Sequence, residues 1–407
     1  PVVDAPSPLD APVIDAPPAL DAPSTPDVPV ARDVVSDVPS SPVTARRLAA
    51  GWVHTCLLHR SGQVFCWGTN TTGQLGDGTR DAHATATAVP GLTDGVEVVA
   101  GAAHTCARRA GGAVLCWGSN DRGQLGDTTT TARTSPVAAM GAEGAVQLAA
   151  GTSHTCALRA SGEVLCWGDD TDGQLGGGSM LASPRRVGPV DGLTDAVRIT
   201  AGHHHTCALR RTGAVVCWGA NREGRLGDGT LTRRAAPVAV LGLPESPVTV
   251  AALSARSENT CVRRSSEQVL CWGENTWRQL GVAPEIVTLP AQVLGLPDGA
   301  QVSSGTIHSC ARTPTGQVMC WGTNGTGQLG DGSTTTRAAP AAVPGLADVV
   351  QVAVDNGYSC ARLRSGAVSC WGRNSGGELG DGTTVTRSTP APVSGLTDAA
   401  EIAVAEN

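Results

Sequence analysis

Short apolar runs separated by stretches rich in Gly, Thr, Asp and Asn recur along almost the whole chain, and nowhere do apolar residues fall at helical spacing. One period reads GVEVVAGAAHTCARRAGGAVLCWGSNDRGQLGDTTTTARTSPVAAMG. Val96 to Ala100 predicts a buried strand. His104 to Arg109 and Ala113 to Trp117 predict two more, joined at Gly111-Gly112 by a hairpin. After a turn-rich loop from Asn120 to Asp127, the stretch around Pro136 to Ala139 predicts a fourth. Repeated seven times, this pattern predicts an all-β chain: a seven-bladed β-propeller of four-stranded antiparallel blades.

Cysteine sets the period. The 14 cysteines form seven pairs, each with nine intervening residues: Cys56-Cys66, Cys106-Cys116, Cys156-Cys166, Cys207-Cys217, Cys261-Cys271, Cys310-Cys320 and Cys360-Cys370. First members of successive pairs lie 50, 50, 51, 54, 49 and 50 residues apart, a spacing typical of repeat architectures. Each second cysteine opens Cys-Trp-Gly. With the hairpin turn near Gly62, the members of a pair face each other on neighbouring strands, where Cβ atoms lie ~4.5–5.5 Å apart, close to disulfide reach. Seven intrablade disulfides are expected, with free buried thiols as the alternative; there is no Cys-x-x-Cys or Cys/His set for zinc. Closing each loop is worth roughly 3 kcal/mol. Disulfides at this density imply an oxidising location: extracellular, periplasmic or at a cell surface.

Charge separates the two ends of the chain. The formal net charge is -7, and residues 1–43 hold seven Asp against Arg32 alone, with Asp-Ala-Pro and Asp-Val-Pro recurring. This segment reads as a disordered linker, able to tether the remainder (residues 44–407) and reaching ~130 Å if extended at ~3.1 Å per residue. An acidic tail and a near-neutral repeat region weigh against nucleic acid as a partner. No apolar run is long enough for a transmembrane helix. The absence of a signal peptide and an initiator Met reads as a processed or truncated product.

The unit G-x-x-H-T-C-x-L-x-x-x-G-x-V-x-C-W-G-x-N-x-x-G-Q-L-G-D-G-T resembles the repeat of the regulator of chromosome condensation family. In the first unit it is carried by Gly51, His54, Gly62, Trp67, Gly68, Asn70, Gly73, Gln74, Leu75, Gly76, Asp77 and Gly78. The resemblance covers about residues 44–407 and implies a seven-bladed propeller. The cysteines depart from the eukaryotic nuclear pattern and resemble an adaptation of the fold to export. Guanine-nucleotide exchange, which the family name implies, needs a protruding wedge, and unit spacing never exceeds 54 residues. The family's tryptophan-clustered photoreceptors are resembled only at Gly51-Trp52-Val53-His54-Thr55. Its secreted bacterial propellers, some similar to protein inhibitors of β-lactamases, imply protein binding.

Recurring polar residues have structural readings. His54, His104, His154, His205 and His308 occupy one place in five units, with Asn259 and Tyr358 elsewhere. Each is expected to hydrogen-bond within its own blade; a ring of metal ligands is the alternative. Asp77, Asp127, Asp228, Asp331 and Asp381 suit tight turns. Asp169-Asp170-Thr171-Asp172-Gly173 is faintly like a calcium loop but lacks the remaining ligands. No catalytic motif appears, so no enzyme activity, metal or cofactor is expected.

Departures from the repeat locate the candidate interface. Strand alternation places the Gly-x-x-His turns and the Gly-Gln-Leu-Gly loops on one face. The turns vary most, with Trp52 in the first unit and His203 and His204 in the fourth. The fifth unit departs furthest, with Arg256 and Glu258 at its turn and Trp277-Arg278 before Gln-Leu. Trp and Arg are enriched at binding hot spots. Trp52, His203, His204, Arg256, Glu258, Trp277 and Arg278 are therefore the expected partner-binding residues. The expected function is a monomeric, secreted or cell-surface scaffold for protein–protein interaction. A secreted enzyme inhibitor and a component of an extracellular assembly are the alternatives. At the C-terminus, residues 395–404 repeat the first strand of a unit although Ala49-Ala50-Gly51 already supplies one, so either end is a candidate to close the ring.

Overall fold

The computed structural model describes residues 45–402 with short interruptions, the longest being 181–184 and 244–249; the expected linker, 1–43, lies outside the described residues. Contacts divide the chain into Pro1–Ser41 and Pro42–Asn407, and the second unit holds the propeller. Twenty-eight strands form seven four-stranded sheets. Among the described residues there is no helix, and so none long and apolar enough to cross a membrane. Blade one comprises β1 (Ala45–Ala50), β2 (His54–His59), β3 (Val64–Gly68) and β4 (His83–Ala88), each paired antiparallel with the next. The other blades repeat this order.

The central hairpin fixes the disulfide. His59 N donates to Gln63 O at 2.8 Å across the turn. Gly62 closes that turn at φ 89°, and a Cβ there would lie 2.5 Å from Thr93 O. Hydrogen-bonded and non-hydrogen-bonded pairs then alternate along β2 and β3, which makes Cys56 and Cys66 a directly opposed, non-hydrogen-bonded pair. Their Cα atoms are 4.1 Å apart, and all seven pairs are disulfide-bonded with the same separation. In β2 every second residue is buried, and Leu58 and Val64 pack with Val98, Ala107 and Trp117 of blade two. The core therefore lies between blades.

Polar groups join the blades at the same depth. His54 Nε2 is 2.7 Å from Thr105 Oγ1 of blade two. Thr105 Oγ1 donates to Gln74 O of blade one at 2.9 Å, and Trp117 Nε1 donates to that same oxygen at 2.9 Å. Because the single hydroxyl proton goes to the carbonyl, the imidazole donates through Nε2. The set recurs with His104 and Gln124 O, His154 and Gln174 O, His205 and Arg225 O, and His308 and Gln328 O. The expectation that each histidine bonds within its own blade is thus corrected: each reaches the next blade. The physical reason is close approach at glycine. A Cβ at Gly51 would lie 2.4 Å from His54 Cε1 and 2.4 Å from Gly101 O of blade two.

Both chain ends begin a unit. β1 completes blade one by pairing with β2. Ala399 N donates to Gly366 O, and Ile402 bonds reciprocally with the Gln351 side chain, as Ile199 of blade four does with Gln147 of blade three. Residues 399 and 402 therefore lie on blade seven where the first strand of a following blade would lie. Trp67 is only partly buried and its indole makes no hydrogen bond among the described residues, whereas its six counterparts are fully buried.

The junction between blades five and six is altered. Ser309 Oγ and Trp321 Nε1 still donate to Gln279 O, at 2.7 and 2.9 Å. Asn259 replaces the histidine, and its buried Nδ2 has no partner. Arg256 stands where most units have glycine. The two changes belong together, since a Cβ at the glycine position and an imidazole compete for one space. A cleft of about 240 Å³ lies between the two blades, lined by Ser254, Cys261 and Val262 of blade five and Gln301 and Val302 of blade six. Asn259→His alone should destabilise by roughly 1–3 kcal/mol through overpacking. Combined with Arg256→Gly it should instead recover a bond to Ser309 worth about 1 kcal/mol. Urea unfolding of both single variants and the double variant checks this, and strict additivity would refute the shared-space argument.

Candidate functional site

The Gly-x-x-His turns form the rim of a central channel, and their backbones are linked in series. Trp52 N donates to Ala102 O, Ala102 N to Thr152 O, Thr152 N to His203 O, and His203 N to Ser257 O. Each turn thereby holds its neighbour, and the variable side chains are presented side by side. Below them the first strands of blades one to five line a channel of about 810 Å³. At the rim lies a pocket of about 330 Å³, bordered by Trp52, Thr152, His203 and Ser257 among others.

Four of the expected partner-binding residues meet at this rim. The Trp52 and His203 rings meet edge-on with centroids 5.4 Å apart, and His203 and His204 are 6.4 Å apart. His203 Nδ1 lies 3.2 Å from Glu258 Oε1. Burial, with the neighbouring His203, lowers the pKa of His204. Trp277 and Arg278 sit on the blade-five loop of the same face. No ring contact or hydrogen bond joins them to the cluster among the described residues. Trp277 is 46% exposed, and Arg278 adopts φ 62° at a place where other units carry Gly. Arg256 ends the strand Val250–Arg256, its backbone opposite Asn259.

A fifth member, Arg225, is missing from the sequence-based expectation. It occupies the Gln position of the fourth unit and is 4% exposed, with ion pairs to Glu223 and Glu258. Burial lowers its pKa to about 10 against the pull of Asp172 and Glu274, which leaves it charged at neutral pH. The departure of Gly-Arg-Leu-Gly from Gly-Gln-Leu-Gly was the available signal. Among the described residues no group of three or more His, Cys, Asp or Glu side chains is placed to hold a metal.

A family model described as an RCC1-like domain matches residues 87–407, and one described as the regulator of chromosome condensation (RCC1) repeat matches residues 45–74 and 61–108. Among solved structures, Prp20p from Saccharomyces cerevisiae superposes with TM-score 0.62 at 26% identity, covering 73% of this chain and 76% of Prp20p. Human WBSCR16 gives 0.68 at 20% identity over 84% of this chain and 96% of its own, a likeness of fold alone. The probable E3 ubiquitin-protein ligase HERC4 of Homo sapiens is 31% identical over 106 residues, 25% of this chain and 10% of HERC4. The mitochondrial RCC1 domain-containing protein RUG3 of Arabidopsis thaliana is 34% identical over 110 residues, 26% of this chain and 24% of RUG3. The matched segments thus span only a tenth to a quarter of these relatives.

The interblade histidines give the fold a definite response to acid. Burial lowers the pKa of His54, His154 and His308 from 6.5 to about 3, and of His104 to about 4. The unfolded chain binds protons at these residues from pH 6.5 downward while the folded chain does not, so stability is lost as pH falls below 6.5. Between about pH 7.5 and about pH 5 each such histidine should cost about 2 kcal/mol. His154→Gln should therefore lose about 2 kcal/mol less than the parent over that range. Urea unfolding at the two pH values checks this, and parallel losses in the two proteins would contradict it.

Proposed function

We propose that this chain, which belongs to the RCC1-like domain family, is an exported protein-binding scaffold whose partner docks on the face of the Gly-x-x-His turns. The observation that carries this reading is the concentration of departures from the repeat on that face. Trp52 and Trp277, exposed by 40% and 46%, both belong to it, as do His203, His204, Arg225 and Glu258. The remaining tryptophans lie in the repeated Cys-Trp-Gly units. Exposed tryptophan beside an organised charge network is the composition of a binding hot spot. The family supports the reading, since Prp20p is described by its binding to Gsp1p and histones. Export is supported by seven buried disulfides, which reducing compartments do not maintain.

Two measurements test the proposal. A photo-crosslinking residue placed at Trp277 in the protein's own cells should give a discrete protein adduct, and one at Ser61, in the hairpin on the opposite face, should give none. Equal crosslinking from both positions, or none from Trp277, would remove the assigned face. Protein isolated from those cells and denatured without reductant should leave all 14 cysteines unalkylated. Extensive alkylation would place it in a reducing compartment.

A further inference from the structure

Each blade ends in an outermost strand with one side unpaired, and six of the seven carry a proline on that side. In blade one the outermost strand is β4, His83-Ala84-Thr85-Ala86-Thr87-Ala88. Val89 N donates to Val64 O and Thr87 lies opposite Cys66, so Thr87 and Val89 turn their main-chain groups toward β3. Alternation then turns the N–H and C=O of Ala86 and Ala88 outward. The position of Ala86 holds Pro136, Pro237, Pro290, Pro340 and Pro390 in blades two, four, five, six and seven. The residue after each of these lies opposite the second cysteine of its blade, as Thr87 does. In blade three Pro189 takes the position of Ala88, opposite Leu165 as Ala88 is opposite Phe65.

Proline removes the outward donor, and proline and charge are the means by which sheet edges are kept from pairing with other strands. An arginine also opens the outermost strand in five of those six blades. Blade one has neither device. His83 opens β4, no Asp, Glu or Arg occurs from Ala82 to Thr93, and Thr85, Ala86 and Ala88 are exposed.

Symmetry and charge select the occupant. An antiparallel edge is its own complement under a two-fold rotation, so every other copy of the chain presents the strand that β4 can pair with. With Ala86 opposite Ala88 of the second copy, each such pair exchanges both N–H···O bonds, and Thr87 faces its own counterpart. Cross-strand Thr–Thr pairs are favourable, and along this uncharged stretch no charge opposes its like. Pro90, which has no N–H, ends the ladder. A foreign strand is selected through pockets for its alternate side chains, which the short side chains of β4 are poorly suited to form.

We propose that β4 pairs antiparallel with β4 of a second copy, joining two four-stranded blades into one continuous sheet. The contact uses the outer edge of blade one, is independent of the turn face, and replaces the monomer expected from the sequence with a weak dimer. So short a ladder buries less than the ~1,200 Å² of a stable interface, which makes association depend on concentration.

Sedimentation equilibrium of the full chain tests this, with Ala86→Pro as the variant. Proline stands at the same position in five sister blades, so the fold accommodates it. The weight-average mass of the parent should rise toward twofold between about 5 and about 500 µM. Ala86→Pro should stay at the mass of one chain over that range and still unfold cooperatively. Should it not fold, Ala88→Pro, which repeats the proline of blade three, takes its place. A parent that stays single throughout, or a folded proline variant that dimerises like the parent, would overturn the inference. The first outcome leaves β4 to a foreign strand, and the second puts the interface elsewhere.

Discussion

From blade one to blade six, one main-chain carbonyl of each blade holds the next blade in place. Gln74 O receives the Thr105 hydroxyl and the Trp117 indole at once, and His54 completes the arrangement by donating to that hydroxyl. None of these groups is exposed to water, so breaking the arrangement strands several buried polar atoms together. Blades of a propeller share little continuous hydrogen-bonded sheet, and apolar packing between them is directionless. The shared carbonyl supplies direction, fixing each tryptophan against the turn glycine of the preceding blade. At Gly76 a Cβ would meet Trp117 Nε1 at 2.6 Å, so that glycine is a requirement of the junction as much as of the turn.

The disulfide and the interblade bonds divide the work. The disulfide ties the two central strands of one blade, while the polar set ties that blade to its neighbour. They meet spatially, since Cys56 Sγ lies 3.8 Å from the same Thr105 hydroxyl. A rigid blade favours a polar junction, because the donors are held in place before the blades meet. Blade five shows the effect of changing part of this arrangement. Losing glycine and histidine together keeps the shared carbonyl, which still receives Ser309 and Trp321 of blade six.

The strands, hairpins and disulfides were legible in the sequence because each depends on residues close together in one unit. Gly62 marks the turn, and the turn sets the pairing of Cys56 with Cys66. The direction of the histidines was not legible. His54 bonds to a residue 51 positions away, and nothing in its own unit distinguishes that partner from a local one. The repeated His-Thr-Cys was the trace of it, with threonine or serine always beside the histidine as the acceptor for the preceding blade. Of the candidate site, Trp52, His203, His204 and Glu258 were found as departures from the repeat, and they converge. Arg225 was overlooked because its position looked like turn chemistry alone.

Arg225 also shows how the fold makes room for a site. The junction uses the main-chain oxygen of the Gln-Leu-Gly loop, whereas the glutamine side chain mainly serves its own loop, as where Gln74 Oε1 accepts from Thr72 N at 2.9 Å, although in blade five Gln279 Nε2 also donates to Thr306 O of blade six. Replacing glutamine therefore leaves the junction intact: Arg225 O still receives Thr260 and Trp272, at 3.1 and 2.8 Å. The arginine side chain is released to bind Glu223 and Glu258, which orders the blade-five turn beside Trp52. Side chains at this position and at the rim turns can vary without disturbing the propeller, while the backbone bonds between turns keep them side by side. A repeat stabilised through backbone oxygens is thus free to vary at its rim, and that freedom is what a binding surface requires.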